Sequence, residues 1–262
     1  DVQPSVKPGE VRSKLSPLPP QKGESFNEII SDLDNHIVPG IMHWQSPRFF
    51  GYFPASASGP STIGDIISSG LGVQGMLWAT SPACTELESH VLDWLIDMLE
   101  LPEHFKSHTQ GGAVIQDTAS SSTLCAILAA REQKTSYTTN SDGALGDLTA
   151  YTSCEAHSSI EKGIRIAGIG SNNLRQISVD NNQSLDPDEL DTIIKSDIRS
   201  GKKPFFINAT VGTTSTHGFD DLSRIGEIAR KHGLWLHVDA AMAGTAALCD
   251  EFRYIHRGIE HA

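Results

Sequence analysis

Residues 204–240 read PFFINATVGTTSTHGFDDLSRIGEIARKHGLWLHVDA. Two short apolar runs, PFFINATVG and LWLHVDA, flank an amphipathic stretch, DDLSRIGEIARKHG, that closes on Gly233. A strand, a helix and a second strand at this spacing predict a βαβ unit. Its strands have to be parallel and covered on both faces, since neither run alternates with polar residues. The same alternation extends toward the N-terminus. LTAYTS (148–153) leads to AHSSIEKGIRIAG (156–168). LRQISV (174–179) precedes LDPDELDTIIKSDIRSG (185–201), where Asp186, Pro187 and Glu189 form a capping-box signature. AVIQ (113–116) reads as a further strand leading into the helix TASSSTLCAILAARE (118–132). The pattern is that of an α/β fold with a mostly parallel sheet, assigned here to one large domain over 54–262.

Upstream the texture changes. Residues 1–23 hold five prolines and two glycines and read as an extended arm. A short amphipathic helix follows, with Ile29, Ile30, Leu33 and Ile37 at helical spacing before Pro39-Gly40. HWQSPRFFGYFPASASGP (43–60) is dense in aromatic and turn residues. Its aromatic cluster is either core filler or a pocket wall. Residues 1–53 thus form an N-terminal arm, helix and aromatic loop. In SPACTELESHVLDWLIDMLELP (81–102), Ser81 is the N-cap candidate and Pro82 the first helical residue. Leu87, Val91, Leu95 and Met98 make the expected buried stripe, and Pro102 ends the helix.

A chain of 262 residues, 38% hydrophobic, is long enough for one large core. A formal net charge of −12 without a stretch rich in Lys or Arg argues against nucleic acid and anionic membrane surfaces as partners. The phosphate of a small cofactor stays open, because helix N-termini bind anions without net positive charge. Cys84, Cys125, Cys154 and Cys249 form no C-x-x-C pair and read as reduced, mostly buried thiols of a cytoplasmic protein. His237 and Asp239 interrupt the longest apolar run well short of a membrane span. No signal-peptide pattern opens the chain. Its start at Asp1 without Met gives the expectation that something upstream has been removed or left out.

Ligands of open α/β sheets gather at the carboxyl ends of the strands. That rule selects Asp117-Thr118-Ala119-Ser120 after AVIQ, Glu155 and His157 after LTAYTS, Thr210 after PFFINA, and His237 and Asp239 in LWLHVDA. Thr118 and Ser120 could simply cap a helix, and His157 could sit at a helix start without a ligand. Asp239 is more informative. A carboxylate within the apolar run LWLHVDAAMAGTAALC (234–249) needs a cationic or donor partner, which a structural arginine could also provide. G-x-x-x-x-G-K-[ST], G-x-G-x-x-G, G-x-S-x-G and H-E-x-x-H are all missing. A metal hydrolase would have to join His237 and Asp239 to His217 or His232.

Taken together, HWQSPRFFGYFPASAS, GLGVQGMLWATSPACTELE, GGAVIQDTASSSTLCAILAARE, AHSSIEKG, ATVGTTSTHGFDDL and WLHVDAAMAG resemble the group II pyridoxal-phosphate decarboxylases. Within them, the likeness is to the aromatic-L-amino-acid decarboxylases, and it begins at PGEVRSKL. The resemblance implies the large domain of a fold type I enzyme, whose C-terminal small domain is not in this chain. It implies that Thr118, Ala119 and Ser120 hold the phosphate of pyridoxal 5'-phosphate (PLP), that His157 stacks on its ring, and that Asp239 keeps the pyridine nitrogen protonated. Ala241 would pack against the ring, with Thr210 and His237 as a second layer. Trp44, Tyr52, Phe53, Pro54 and Ala55 would line the aromatic substrate pocket. Gln74 to Leu77 would reach the other active site of a homodimer whose sites lie at the subunit interface.

The implied activity is decarboxylation of an aromatic L-amino acid (Trp, Tyr, Phe or Dopa type). The alternatives are an aldehyde synthase of the same family or an incompetent fragment that acts only as a dimerisation partner. His157 favours simple decarboxylation. The family's cofactor-bearing lysine, in an N-P-H-K stretch, is expected just beyond GIEHA, as is the mobile loop that separates the two reactions. Lys134, Lys162, Lys195, Lys202 and Lys203 do not match that motif. Asp117 stands where the animal enzymes have glycine, and Gln74 and Met76 where they have an apolar and an aromatic residue. A sheet without its later strands would expose apolar edges, so the 262 residues alone are expected to be poorly soluble.

Overall fold

The computed structural model describes residues 2–52, 57–144 and 146–262, and the chain divides between residues 73 and 74. In the first unit, α1 (Glu10–Lys14) interrupts the arm expected to be extended, because Gly9 takes a left-handed turn and Glu10 Oε2 accepts the Lys7 N–H. The Ile29–Leu33 pattern does give a helix, α2 (Phe26–Asp32), which runs on through a wider turn to Ile37. A reciprocal capping box, Ser25 with Glu28, starts it. A third helix, α3 (Gly59–Leu71), begins at a serine pair, Ser58 with Ser61. None of these three helices carries a buried residue.

The second unit opens with α4 (Pro82–Met98). Ser81 precedes it as expected, yet its side chain makes no capping hydrogen bond. The expected stripe is also misplaced. Leu87, Val91 and Met98 are exposed and Ile96 is the buried residue, so the apolar face of α4 is not the face that meets the core. AVIQ forms no strand. Residues 111–116 lack ladder partners among the described residues, and Val114 and Ile115 stay exposed. Helix α5 (Ala119–Lys134) follows, then α6 (Thr139–Asp142).

From there the predicted alternation holds: β1 (Leu148–Ser153), α7 (Ser159–Ile166), β2 (Leu174–Ile177), α8 (Pro187–Arg199), β3 (Lys203–Thr210), α9 (Leu222–His232) and β4 (Trp235–Asp239). Among the described residues the strands form one parallel sheet in the order β2-β1-β3-β4. Asp186 caps α8 by accepting the N–H groups of Asp188 and Glu189. Glu189 does not return the bond; its carboxylate takes the Ser178 N–H instead. Gly233 ends α9 in the left-handed conformation, as the sequence indicated.

The sheet is covered on both faces. Leu148, Ala150 and Phe206 meet Ile127 and Ala130 of α5 and Ile164 of α7. Tyr151, Ile207 and Ala209 meet Leu190 and Ile194 of α8 and Ile225 and Ala229 of α9. Each Ile or Leu sealed this way contributes about 1.5–3 kcal/mol. All of β1 is buried, and so is β3 after Lys203. In β4 only Leu236 is buried, because the strand lies at the sheet's edge. One polar cluster that enters this core is matched by its neighbours. The Tyr151 hydroxyl, its pKa raised chiefly by desolvation, donates to Asp197, which Arg175 also binds.

The cysteines are free, but Cys125, Cys154 and Cys249 are exposed rather than buried, since they sit on an uncovered face of α5, just after β1 and between two short 3-10 turns. The chain's last turn packs on α9 through two glycines. A Cβ on Gly258, whose φ is +95°, would lie 2.3 Å from the Ser223 nitrogen, and one on Gly226 would lie 2.3 Å from the His261 ring.

Candidate functional site

Chain direction brings the selected residues to one edge. A parallel strand, a crossover helix and the next strand force each helix to start where the preceding strand ends. Helix α7 therefore begins at the carboxyl edge, directly after β1. Helix α5, which runs back toward the start of β1 and packs on β3 and β4, has its N-terminus there too. Thr210 and Asp239 are register partners at the ends of β3 and β4, and Asn208 pairs with His237 one step below.

At the start of α5, Thr118 Oγ1 accepts the Ser121 N–H at 3.2 Å. The capping reading of Thr118 is thus realised. The N–H groups of Ala119 and Ser120 come before the first intrahelical bonds and have no acceptor among the described residues. Two converging N–H groups at the positive end of a helix suit a phosphate. Asp117 is exposed beside them and takes no part in the cap.

His157 is exposed, and its orientation is fixed by its own helix. Nδ1 accepts the Ser159 N–H at 3.2 Å and lies 3.0 Å from Ser159 Oγ. A backbone N–H can only donate, so the proton of the neutral ring sits on Nε2. Ser159 also lines a small groove of about 160 Å³ with Ser120, Ser121 and Lys162, which joins the first turns of α5 and α7. The first turns of α5 and α7 therefore lie side by side.

Asp239 is half-buried rather than sunken, a consequence of β4 being an edge strand. Oδ1 accepts the Ala241 N–H at 3.1 Å, so no arginine is needed to hold the carboxylate. His237 stacks on Phe206 with ring centroids 5.8 Å apart. Desolvation lowers its pKa, and Asp239 opposes the shift. No group of three or more His, Cys, Asp or Glu among the described residues could hold a metal ion, so the His237–Asp239–His217 or His232 grouping does not form. His232 instead contacts Asp191 at 2.6 Å.

Other selected residues lie elsewhere. Trp44 stacks with Tyr52, ring centroids 5.5 Å apart, within the first unit, and Tyr52 adopts a positive φ. Phe53, Pro54 and Ala55 lie outside the described residues. Gln74 and Met76 are exposed, the Gln74 carbonyl accepting the Thr80 hydroxyl. A cavity of about 390 Å³ lined by Ile96, Leu99, Trp235, Leu236 and Val238 runs along the outer edge of β4 and includes neither Asp239 nor Thr118.

Two polar residues beneath the site escaped the sequence reading. Asp220, 5% exposed, accepts the N–H groups of Leu185 and Thr210, each at 2.7 Å. Burial pushes its pKa up to about 6 against these bonds. Asn208 is wholly buried and donates to Thr152 and Thr210. Asn208 stands among apolar neighbours in the sequence, the same signal that singled out Asp239, whereas Asp220 adjoins a second acid, Asp221.

The donor set fits PLP: orphan helix amides for the phosphate, a flat imidazole face for stacking, and a strand-end carboxylate for the ring nitrogen. Residues 8–262 match the pyridoxal-dependent decarboxylase conserved domain. Human histidine decarboxylase is 46% identical across all of this chain, which spans 40% of that protein. Mouse aromatic-L-amino-acid decarboxylase is 44% identical, again across the whole chain, which covers 55% of it. The crystal structure of Catharanthus roseus tryptophan decarboxylase with L-tryptophan superposes with a TM-score of 0.94 at 39% identity. Rhodiola rosea 4-hydroxyphenylacetaldehyde synthase gives 0.94 at 40%. This chain is fully covered in both and spans 56% of each. The chain thus spans about half the length of its relatives, and over that span it belongs to the pyridoxal-dependent decarboxylases.

Proposed function

We propose that the protein containing this chain decarboxylates an aromatic L-amino acid to its amine, with PLP as cofactor. The observation that carries the reading is the register pair Thr210–Asp239, set at the same sheet edge as the α5 amides and His157. When bound, PLP supplies the electron sink that lets carbon dioxide leave the substrate's α-carbon. The chain's own residues do the rest. Ala119 and Ser120 bind the phosphate through N–H groups, with Thr118 holding the helix start. His157, pinned by Ser159, orients the ring from one face. Asp239 holds a proton on the ring nitrogen by opposing its negative charge.

The similarity to aromatic-L-amino-acid decarboxylase and to tryptophan decarboxylase supports a planar substrate side chain. The similarity to histidine decarboxylase makes imidazole a second candidate ring. The similarity to 4-hydroxyphenylacetaldehyde synthase keeps aldehyde formation as the alternative outcome. Exposed apolar side chains in the first unit, Phe26, Ile29 and Ile63 among them, support burial against a second copy, with Gln74 and Met76 at the rim of the partner's site. No helix among the described residues is long and apolar enough to cross a membrane.

The test is to titrate the full-length protein with PLP, following the visible absorption of the bound cofactor, and then to measure amine, aldehyde and carbon dioxide release from Trp, Tyr, Phe, Dopa and His. A cofactor band with amine from an aromatic acid is expected. Failure to bind PLP overturns the reading, and aldehyde as the main product replaces it with the synthase.

A further inference from the structure

We propose that Asn208 is a positioning residue of the cofactor site, its side-chain amide fixing the Thr210 hydroxyl so that the O–H points toward Asp239 at the strand end. The inference rests on the function proposed above and adds a residue to it.

Phe206, Asn208 and Thr210 share one face of β3, the face toward α5. Across β4 they stand opposite Trp235, His237 and Asp239 in register. Asn208 has no exposed surface. Its Nδ2 donates at 3.2 Å to Thr152 Oγ1 and at 3.2 Å to Thr210 Oγ1, which uses both amide protons. Its Oδ1 is buried without a partner. An amide kept for stability alone would have its carbonyl satisfied, because an unmet buried acceptor works against folding. A leucine of the same shape would avoid that cost, so the reason for asparagine lies in what the N–H groups do.

Their effect is directional. A threonine hydroxyl that accepts an N–H still has one proton to donate, and the donor's position excludes it from that side. Thr210 is fixed at two points, its main-chain N–H by Asp220 at 2.7 Å and its hydroxyl by Asn208. The free O–H is then turned away from Asn208, and the residue beside Thr210 across the strand end is its register partner Asp239. There it can donate to the carboxylate that faces the ring nitrogen and hold its plane.

The test uses the full-length protein with Asn208→Leu, Thr210→Val and the double variant. PLP affinity and the absorption maximum of the bound cofactor are measured beside the melting temperature without PLP and the split between kcat and KM. For N208L we expect PLP affinity and kcat each to fall about ten-fold, the worth of one hydrogen bond, with KM little changed and the cofactor-free melting temperature equal or higher. The double variant is expected to be no worse than T210V, since both remove one arrangement. Wild-type affinity and absorption in N208L, or losses that multiply in the double variant, overturn the role. Should N208L fold poorly, Thr152→Val loosens the same amide from its other side. It is expected to weaken PLP binding in the wild-type background and leave T210V unaltered; equal weakening in both overturns the proposal. A wild-type protein that binds no PLP overturns the functional reading itself, a result distinct from these.

Discussion

Two acids stand at the ends of neighbouring strands and are used in opposite ways. In the corner behind β3, Asp220 is 5% exposed and both its oxygens are taken by backbone N–H groups at 2.7 Å. At the mouth of β4, Asp239 is half-buried, and the chain supplies one backbone N–H at 3.1 Å. The first carboxylate is complete within its own fold and ties the 185 loop to the end of β3. The second is held in place and turned outward. The difference separates an acid that builds the sheet's edge from one left open at it, which is the carboxylate proposed to meet the ring nitrogen.

The largest effect expected from breaking this contrast is on stability. Asp220→Ala orphans two buried donors at roughly 1–3 kcal/mol each. Chemical denaturation of the full-length protein should show the loss, and an unchanged midpoint would make Asp220 no more structural than its neighbour. Asp239→Ala should do the reverse. Turnover is expected to fall by on the order of 10²–10³-fold, as when one preorganised charge partner is removed, while the denaturation midpoint stays near that of the wild type. A variant with near-normal kcat contradicts the assigned role.

A pH scan sharpens the comparison further. Desolvation raises the Asp220 pKa from 3.8 to about 6 in the fold, so between these values the native state binds more protons than the unfolded one. This group's contribution to stability therefore declines as pH rises through that window and levels off above it. Asp220→Asn should remove that part of the slope, measured as unfolding free energy against pH; an identical slope rejects the assignment. The smallest effect expected is at Asp117, exposed beside the α5 amides. Asp117→Asn should tighten PLP binding a few-fold at low salt, with the gain fading as salt screens the repulsion. Salt-independent affinity in both proteins would separate Asp117 from the phosphate.

The sheet was legible because PFFINAT and LWLHVD carry apolar residues on both faces, a pattern with few other uses, and LTAYTS, richer in hydroxyls, recurs at the same spacing before a helix. AVIQ has the same composition but no ladder partner among the described residues, and a strand is defined by its neighbour, not by its own side chains. The α4 stripe misled for a related reason. Leu87, Val91 and Met98 show the helical period, yet period reveals that an apolar face exists and not what covers it. Ser81 and Glu189 had the right identities for capping, but the geometry went to other groups. At the site, Asp239 stood out as a charge in an apolar run. Asp220 sits in the doublet FDDL, where its neighbour Asp221 caps α9 and supplies a sufficient reason for both. Asn208 was overlooked because an uncharged amide in PFFINAT attracts less notice, although an unmet amide oxygen in a core is just as anomalous.

The glycine contacts on α9 have a further implication for how variants of this protein will behave. With Ser223 nitrogen 2.3 Å from where a methyl on Gly258 would sit, and the His261 ring equally near Gly226, the closing turn is seated by two hydrogen atoms. One added carbon at either place would act as a wedge and lift that turn off α9, with no residue proposed to hold PLP altered.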